Sequence, residues 1–352
     1  IFELQEEISR EISGKLRLKI TGEEEQKLTR RYTDNVAAYQ LYLKGRYFWS
    51  KRTRDGLKKG SDYFKQAIDL DPSYALAYAG LADAYAFLGL HRVIPPTDIL
   101  PKAKAAAIKA LEIDDTLAEA HTALAYVKTI YDWDWKGAEE GFKRAIELNP
   151  KNASTHSYYS NYLAAMGRFE ESMAEIKRAQ ELDPLSPIIN VMVGYMAFLK
   201  RDYDVTVEQC SKTSDIEPNF FWIYMGIGWA YEEQEMYEKA IPEFQRAVEL
   251  TNGLMGTLAG LGHALAHAGR SDEALQIIEK LKDPSTHGHV VPYDIALVYA
   301  GFSDQDQTLA WLDKACDARF GWLIWLNVEP KWDFLRSHPL FKKLLRRVGL
   351  AA

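Results

Sequence analysis

The sequence predicts an all-α fold, an α-solenoid of stacked helical hairpins, and two features of its pattern lead to that prediction. One stretch recurs along the chain: it reads FKQAIDLDP at 64–72 and FKRAIELNP at 142–150, with looser copies at 176–184 and 244–252. Small residues also return every 34 positions in two series. The first is Ala138, Ser172, Thr206, Ala240, Ala274 and Thr308, and the second is Ser160, Gly194, Gly228, Gly262 and Ala296. A fixed period of this length indicates a repeat architecture.

Each repeat is predicted to be a helix, a turn and a second helix. Apolar residues around the small positions recur every three or four residues, as an amphipathic helix requires. A small residue on each helix allows the two backbones of a hairpin to approach closely. Prolines then end the second helices, because proline lacks the amide donor and clashes with the preceding turn. These prolines are Pro72, Pro150, Pro184 and Pro218.

Residues 154–184 and 222–252 follow the pattern W-x2-L-G-x2-Y, A-x3-F-x2-A, P closely. The second stretch supplies Tyr224, Ile227, Gly228, Tyr231, Ala240, Phe244 and Ala247. The sequence therefore resembles the tetratricopeptide repeat family. This resemblance implies a right-handed superhelix of about eight hairpins with helical caps and a concave inner surface formed mainly by the first helices.

The pattern divides the chain into three parts. Residues 1–34 are expected to form an N-terminal helix or a linker to an upstream domain, 35–319 the repeat array, and 320–352 a C-terminal capping helix. Residues 89–101 are expected to form a longer loop. The chain begins at Ile1 without a methionine, and we interpret it as a piece of a longer polypeptide.

Two further stretches extend the resemblance. Residues 41–89 and 334–345 resemble the C-terminal repeat regions of bacterial signalling proteins. In those proteins such an array follows a protein kinase, a nucleotide cyclase or a winged-helix DNA-binding domain. The resemblance implies that this chain is the sensing or regulatory part of such a protein.

Composition narrows the class of function. The net charge of −7 argues against sequence-independent nucleic-acid binding by this chain. No run of eighteen apolar residues is present, so no contact with a membrane is expected. Two cysteines, Cys210 and Cys316, are too few for a disulfide framework and fit a reducing compartment, which favours a cytoplasmic location.

The sequence gives no support for catalysis. It lacks a phosphate-binding glycine loop of the G-x4-G-K-S/T type. No serine or cysteine has a base at a known motif spacing. His263 and His267 are one helical turn apart and could share a metal ion, but no spacing supplies a third ligand, so a polar contact in the groove is favoured. We therefore predict neither enzyme activity, nor a cofactor, nor a metal.

The predicted function is protein binding on the concave surface. Mapping the exposed first-helix positions of the family onto this sequence gives Tyr126, Ile130, Asn161, Tyr195, Phe198, Trp222, Met225, Trp229, His263 and His267. Large rigid aromatics are common binding anchors, and an extended peptide or an amphipathic helix fits such a groove. Two alternatives stay open: these residues pack against neighbouring helices or the chain's own terminal helix, and the array mediates self-association or intramolecular regulatory docking.

Overall fold

The computed structural model describes residues 33–254 and 256–350, and it is helical throughout in the manner the repeats predict. Eight helical hairpins follow one another, so the predicted α-solenoid is confirmed. The expected N-terminal helix or linker at 1–34 lies almost entirely outside the described residues. None of the described helices combines the length and the apolar character needed to cross a membrane.

The hairpins are built from alternating first and second helices. The first helices are α1 Val36–Ser50, α3 Ala75–Leu90, α5 Ala118–Val127, α7 Ala153–Ala165, α9 Pro187–Leu199, α11 Phe221–Glu233, α13 Thr257–His267 and α16 Pro292–Gly301. The second helices are α2 Arg54–Leu70, α4 Pro96–Ile113, α6 Trp135–Leu148, α8 Phe169–Leu182, α10 Tyr203–Thr213, α12 Tyr237–Thr251, α14 Ser271–Lys282 and α17 Gln305–Asp317. The short α15 Pro284–His287 precedes the eighth hairpin, and α18 Pro339–Val348 follows it.

The small residues of the two series lie where the helices of a hairpin meet. Thr206 of α10 donates a hydrogen bond from its hydroxyl to the Gly194 carbonyl of α9 over 3.1 Å. Phe244 packs on Gly228 so closely that a Cβ there would lie 2.8 Å from the phenyl ring. Gly260 of the next hairpin lies against the same ring. Phe244 thus fills the space that the two glycines leave, and Cys210 does the same beside Gly194 and Gly226 in the preceding repeat.

The prediction of a longer loop at 89–101 is wrong. Helix α3 continues to Leu90 and α4 begins at Pro96, so only 91–95 connect them. Proline suits the first position of a helix, where its missing amide would have no partner. Pro101 lies inside α4, near its start. The extra residues therefore lengthen α4 rather than the loop.

The turn within every hairpin contains one residue in the left-handed region, with φ between 52° and 75°. These residues are Arg52, Arg92, Trp133, Gly167, Arg201, Glu235, Gly269 and Ser303. Arg319, which follows α17, shares this conformation. Glycine adopts it without strain, whereas a residue with a side chain does so at some cost. Four of the nine positions hold arginine, and each of the four contacts a distant part of the chain or the interior.

The last part of the chain differs from a simple capping helix. After α17 it forms two short 3-10 helices, Gly321–Trp325 and Pro330–Leu335, before α18 begins. We call residues 320–335 the C-terminal segment. The Trp135 indole of the third hairpin donates to the Val348 carbonyl over 2.9 Å, across 213 positions of sequence. The end of the chain therefore folds back onto early hairpins.

Candidate functional site: the concave surface and the C-terminal segment

Nine of the ten residues predicted to form the groove are buried, and His267 is exposed. They lie on α5, α7, α9, α11 and α13, or in the single π-helical turn Lys128–Asp132 that continues α5. The first helices thus bring them to one inner surface, as the repeat pattern requires. The C-terminal segment covers much of this surface.

Stacked aromatic rings join the segment to the groove. The Trp322 indole lies parallel to that of Trp222, with the ring centres 5.5 Å apart and an interplanar angle of 12°. Trp325 meets Tyr195 edge to face at 5.4 Å. Both geometries are favourable for aromatic pairs and add to the energy of apolar burial. The rings predicted to anchor a partner are thus in contact with rings of the same chain.

A buried carboxylate fixes the segment further along. Glu329 is 0% exposed and accepts hydrogen bonds from the hydroxyls of Tyr195 and Tyr293 at 3.3 and 3.1 Å. It also accepts from the Trp332 indole at 3.2 Å and from the Lys331 ammonium at 2.8 Å. Buried charge is costly unless it is paired and hydrogen-bonded. Four donors around one carboxylate meet this requirement.

The Lys331 ammonium completes the contact. It lies 4.1 Å from the Trp229 ring centre and 5.5 Å from that of Phe198. A cation held over aromatic faces away from water is stabilised by the ring quadrupole. Trp229 and Phe198 therefore act here as a platform for a cation of the same chain.

A second buried ion pair crosses the interior. The Arg92 Nε is 2.8 Å from both carboxylate oxygens of Asp294, although 202 positions separate the two residues. Both side chains are buried. The guanidinium also lies 4.9 Å from the Phe320 ring centre, at the start of the C-terminal segment. Arg92 thus links the second hairpin to the eighth and to the segment.

Most of the remaining predicted groove residues have partners of their own, whereas Asn161 Oδ1 has no hydrogen-bond partner within the described residues. Ile130 lies against Gly321, where a Cβ would be 3.3 Å from the Ile130 Cβ. Met225 lies against Gly260. Tyr126 stacks on Tyr158 with the ring centres 4.3 Å apart.

His263 pairs with a carboxyl group rather than with His267 alone. Its Nδ1 lies 2.7 Å from Glu232 Oε1, and both side chains are buried. Burial raises the pKa of Glu232 to about 8 and lowers that of His263 to about 3. The pair is therefore neutral at pH 7, with the proton on Glu232. The described residues contain no cluster of three or more histidine, cysteine, aspartate or glutamate side chains able to hold a metal.

This pair makes stability depend on pH. Folded Glu232 retains a proton that the unfolded chain loses near pH 4.5, so its contribution is full below that value and is lost as the pH rises through about 8. The lowered pKa of His263 has the opposite effect, because it reduces stability as the pH falls below about 6.5. The free energy of unfolding should therefore fall less steeply between about pH 6.5 and about pH 8.5 in the Glu232→Gln variant than in the parent. One titrating group can contribute a slope of at most about 1.4 kcal/mol per pH unit.

Denaturant midpoints at the two pH values measure this slope. Glu233, whose pKa is also raised by burial, to about 7, remains in the variant, so the slope should shrink rather than vanish. Glu238→Gln, at an exposed position of α12, is the matched control and should keep the parent slope. Equal slopes for Glu232→Gln and the parent would contradict the assignment.

The sequence did not single out the residues of the C-terminal segment that fill the groove. Trp322, Trp325, Glu329 and Lys331 all fall in the part expected to be a cap. A signal was nevertheless present, because FGWLIWLNVEPKW at 320–332 is more aromatic than an exposed cap needs to be. Arg92 gave no comparable signal, since its partner is 202 positions away.

Comparisons with known proteins agree with the repeat pattern. Residues 223–253 match the family model of the tetratricopeptide repeat. The chain is 26% identical over 151 residues to the transcriptional regulator HilA of Salmonella typhimurium, which covers 43% of this chain and 27% of that protein. It is 34% identical over 105 residues to the type IV pilus assembly protein PilF of Pseudomonas aeruginosa, which covers 30% of this chain and 40% of that protein. The chain thus spans less than half of the length of either relative.

The fold has counterparts among solved structures. A chain of the solved APC/C hetero-tetramer Cut9–Hcn1 matches this chain with a TM-score of 0.60 and 14% sequence identity. The match covers 94% of this chain and 60% of that chain. At that identity the likeness concerns the fold alone. The described part of the chain is thus an α-solenoid of eight stacked hairpins, in which residues 223–253 match the tetratricopeptide repeat model.

Proposed function

We propose that the chain is a non-catalytic protein-interaction module whose concave groove holds its own C-terminal segment in the place of a peptide ligand. A partner peptide would bind by displacing residues 320–335. The observation that supports this proposal is the stacking of Trp322 on Trp222. Trp222 is a residue predicted to bind a partner, and its ring contacts a short stretch of the same chain instead.

The contacts of the segment define the chemistry of a competing partner. The groove offers the Trp222 face to a flat aromatic ring, and the hydroxyls of Tyr195 and Tyr293 to a carboxylate. Trp229 offers a ring face to a cation. A partner is therefore a peptide that carries tryptophan or a similar ring, followed by a glutamate and a lysine. Such a groove accounts for binding without a catalytic group or a cofactor.

The exchange between own segment and partner suits a regulatory protein. We propose that the array is the sensing part of a bacterial cytoplasmic signalling protein, in which the closed groove is one state and the partner-bound groove the other. The relative HilA is described as a transcriptional regulator, and the aligned part is 27% of its length. Such a small aligned share is expected if the array accompanies another domain in the whole protein.

The test supplies the segment as a separate peptide. A fluorescein-labelled peptide of residues 319–336 is titrated into the full chain and into a full-chain variant with Trp322→Ala and Trp325→Ala, and binding is followed by anisotropy. We expect the variant to bind at least about tenfold more tightly than the parent, because a tethered segment competes at an effective concentration in the millimolar range. A peptide with the same two tryptophans replaced is the control.

Circular dichroism shows whether the variant keeps its helices, and light scattering shows whether it stays monomeric rather than exchanging segments between copies. A folded variant that fails to bind the peptide would mean that the segment is a fixed part of the core. Equal binding to the parent and the variant would place the peptide outside the groove. Either result overturns the proposal.

A further inference from the structure

A large cleft opens at the side of the array where the first hairpin approaches later ones. Its volume is about 1130 Å³. The turn between α1 and α2 forms one wall, and the beginnings of α7, α9 and α11 form the other. Pockets for small molecules in proteins usually have volumes of roughly 300–1,000 Å³, so the cleft is large enough for one.

A small inner chamber of about 60 Å³ adjoins the cleft. Ser157, Tyr158 and Ile188 line both spaces. A cavity of about 10–15 Å³ is enough for a single water molecule, so the chamber has room for a group of several heavy atoms. Its walls are mostly aromatic and aliphatic, with Phe87 and Tyr126 among them. An apolar group suits this space.

Arg52 lies in the wall of the cleft with its charge unmatched by a hydrogen bond. The residue is 3% exposed, and its Nε and Nη1 have no hydrogen-bond partner among the described residues. The guanidinium lies 3.7 Å from the ring centre of Trp49 and 3.7 Å from that of Phe87. The two rings hold the cation in place and leave its Nε and Nη1 without an acceptor. A buried cation with unused donors is costly unless an acceptor reaches it.

The nearest acidic side chain does not fill this role. Asp83 is buried, yet it forms no ion pair or hydrogen bond with Arg46 or Arg52 within the described part of the chain, and its Oδ1 is unpartnered. Burial raises the pKa of Asp83 to about 6, and the two arginines oppose this change. The cleft itself is lined by Arg46, Lys51, Arg52 and Arg54 and by Asp55, Asp183 and Glu217, so four cations face three anions and its wall carries net positive charge.

Unpartnered donors outnumber unpartnered acceptors around the two spaces. The buried donors without a hydrogen-bond partner in the described residues are Arg52 Nε and Nη1, the Tyr158 hydroxyl, and the indole nitrogens of Trp49, Trp222, Trp229 and Trp322. The buried acceptors that likewise lack a hydrogen-bond partner in the described residues are Asp83 Oδ1 and Asn161 Oδ1. Both nitrogens of His91 are also unpartnered and supply one donor and one acceptor in the neutral ring. A ligand rich in acceptor atoms would satisfy this set.

We infer that the cleft and its inner chamber form a binding site for a small organic anion, a carboxylate with a compact aromatic body. The carboxylate binds Arg52 and the Tyr158 hydroxyl, and the body lies in the chamber against Phe87 and Tyr126. Trp322, Ile324 and Trp325 of the C-terminal segment also line the chamber, so the complete site exists while residues 320–335 occupy the groove. Binding at this site does not require a partner to displace the segment.

The test compares two probes of nearly the same shape, one anionic and one neutral. Isothermal titration calorimetry of the full chain uses 3-phenylpropionate and its neutral amide, 3-phenylpropanamide, at millimolar concentration. We expect saturable binding of the acid with one site per chain, and binding of the amide weaker by about tenfold or more, because the neutral amide has no charge to pair with the Arg52 guanidinium. Equal binding of both probes, or no binding of the acid, overturns the inference.

Two substitutions locate the site. Arg52→Gln should weaken binding of 3-phenylpropionate by about tenfold or more, and Tyr158→Phe by about fivefold, because each removes a donor to the carboxylate. Tyr158→Phe removes a hydroxyl that has no partner, so it should leave thermal stability unchanged or higher and keeps the test valid if Arg52→Gln does not fold. Tyr162→Phe is the control, because the Tyr162 hydroxyl lies near Glu139 rather than the cleft. Unchanged affinity in Tyr158→Phe would remove this site from consideration.

Discussion

Replacing Arg92 by glycine is expected to lower the free energy of unfolding by about 3–5 kcal/mol, the usual cost of removing one partner of a buried ion pair. The substitution leaves the Asp294 carboxylate buried without the guanidinium that contacts both of its oxygens at 2.8 Å. Glycine is chosen because Arg92 has φ of 64°, which glycine adopts without strain. The loss therefore reports on the side chain alone. Chemical denaturation followed by circular dichroism measures it.

Arg201 supplies a matched control. It too lies in a hairpin turn, with φ of 68°, and pairs with Asp333 at 2.9 Å. That pair is partly exposed, with side chains 37% and 49% accessible, and exposed pairs contribute about 0–1 kcal/mol. Arg201→Gly should therefore change stability little. Similar losses in the two variants would show that the turn, and not the buried pair, is responsible.

Replacing Glu329 by glutamine is the second substitution with a large expected effect. It leaves the Lys331 ammonium buried without its carboxylate partner and replaces one acceptor oxygen by a donor amide. The cost of such a change is about 3–5 kcal/mol. A solenoid can respond locally, so we expect residues 320–335 to leave the groove before the hairpins unfold. Hydrogen exchange in 321–335 should increase strongly, while exchange in α7 and α8 stays near that of the parent.

A compensating change separates charge from packing. Adding Lys331→Met to Glu329→Gln removes the unpaired cation and should restore much of the protection, because a methionine packs well against Trp229 and Phe198. Asp333→Asn alters a partly exposed carboxylate of the same segment and should have little effect. If Glu329→Gln leaves exchange in 321–335 unchanged, the buried ion pair does not hold the segment in place.

Periodicity explains why the array was predictable from the sequence. The positions of Gly194 and Thr206 are set by a contact within one hairpin, between residues twelve apart, and Ser160 and Ser172 make the same contact in the preceding hairpin. The same pattern placed the groove residues on one inner surface. The occupant of that surface was not predictable in this way. Trp322 and Glu329 belong to a stretch that occurs once, so no repetition marks their partners.

The loop between α3 and α4 illustrates a second limit. The spacing of the small residues shows that the second repeat is longer than its neighbours, but it does not say which element contains the added residues. Local chemistry decided it, since Pro96 could begin a helix and Pro101 could be accommodated near its start. The short loop that remains carries His91 and Arg92, whose importance depends on residues far along the chain.

The contacts that join the ends of the array change how the molecule is expected to fold. An open row of repeats has contacts between neighbours only, so it can unfold from its ends and tolerates the loss of a terminal repeat. Here Arg92 and Asp294 are 202 positions apart, and Trp135 and Val348 are 213 apart. Contacts of this range raise the contact order and close large loops, which slows folding and joins separate repeats into one cooperative unit. A chain built from modular parts thereby loses its modularity.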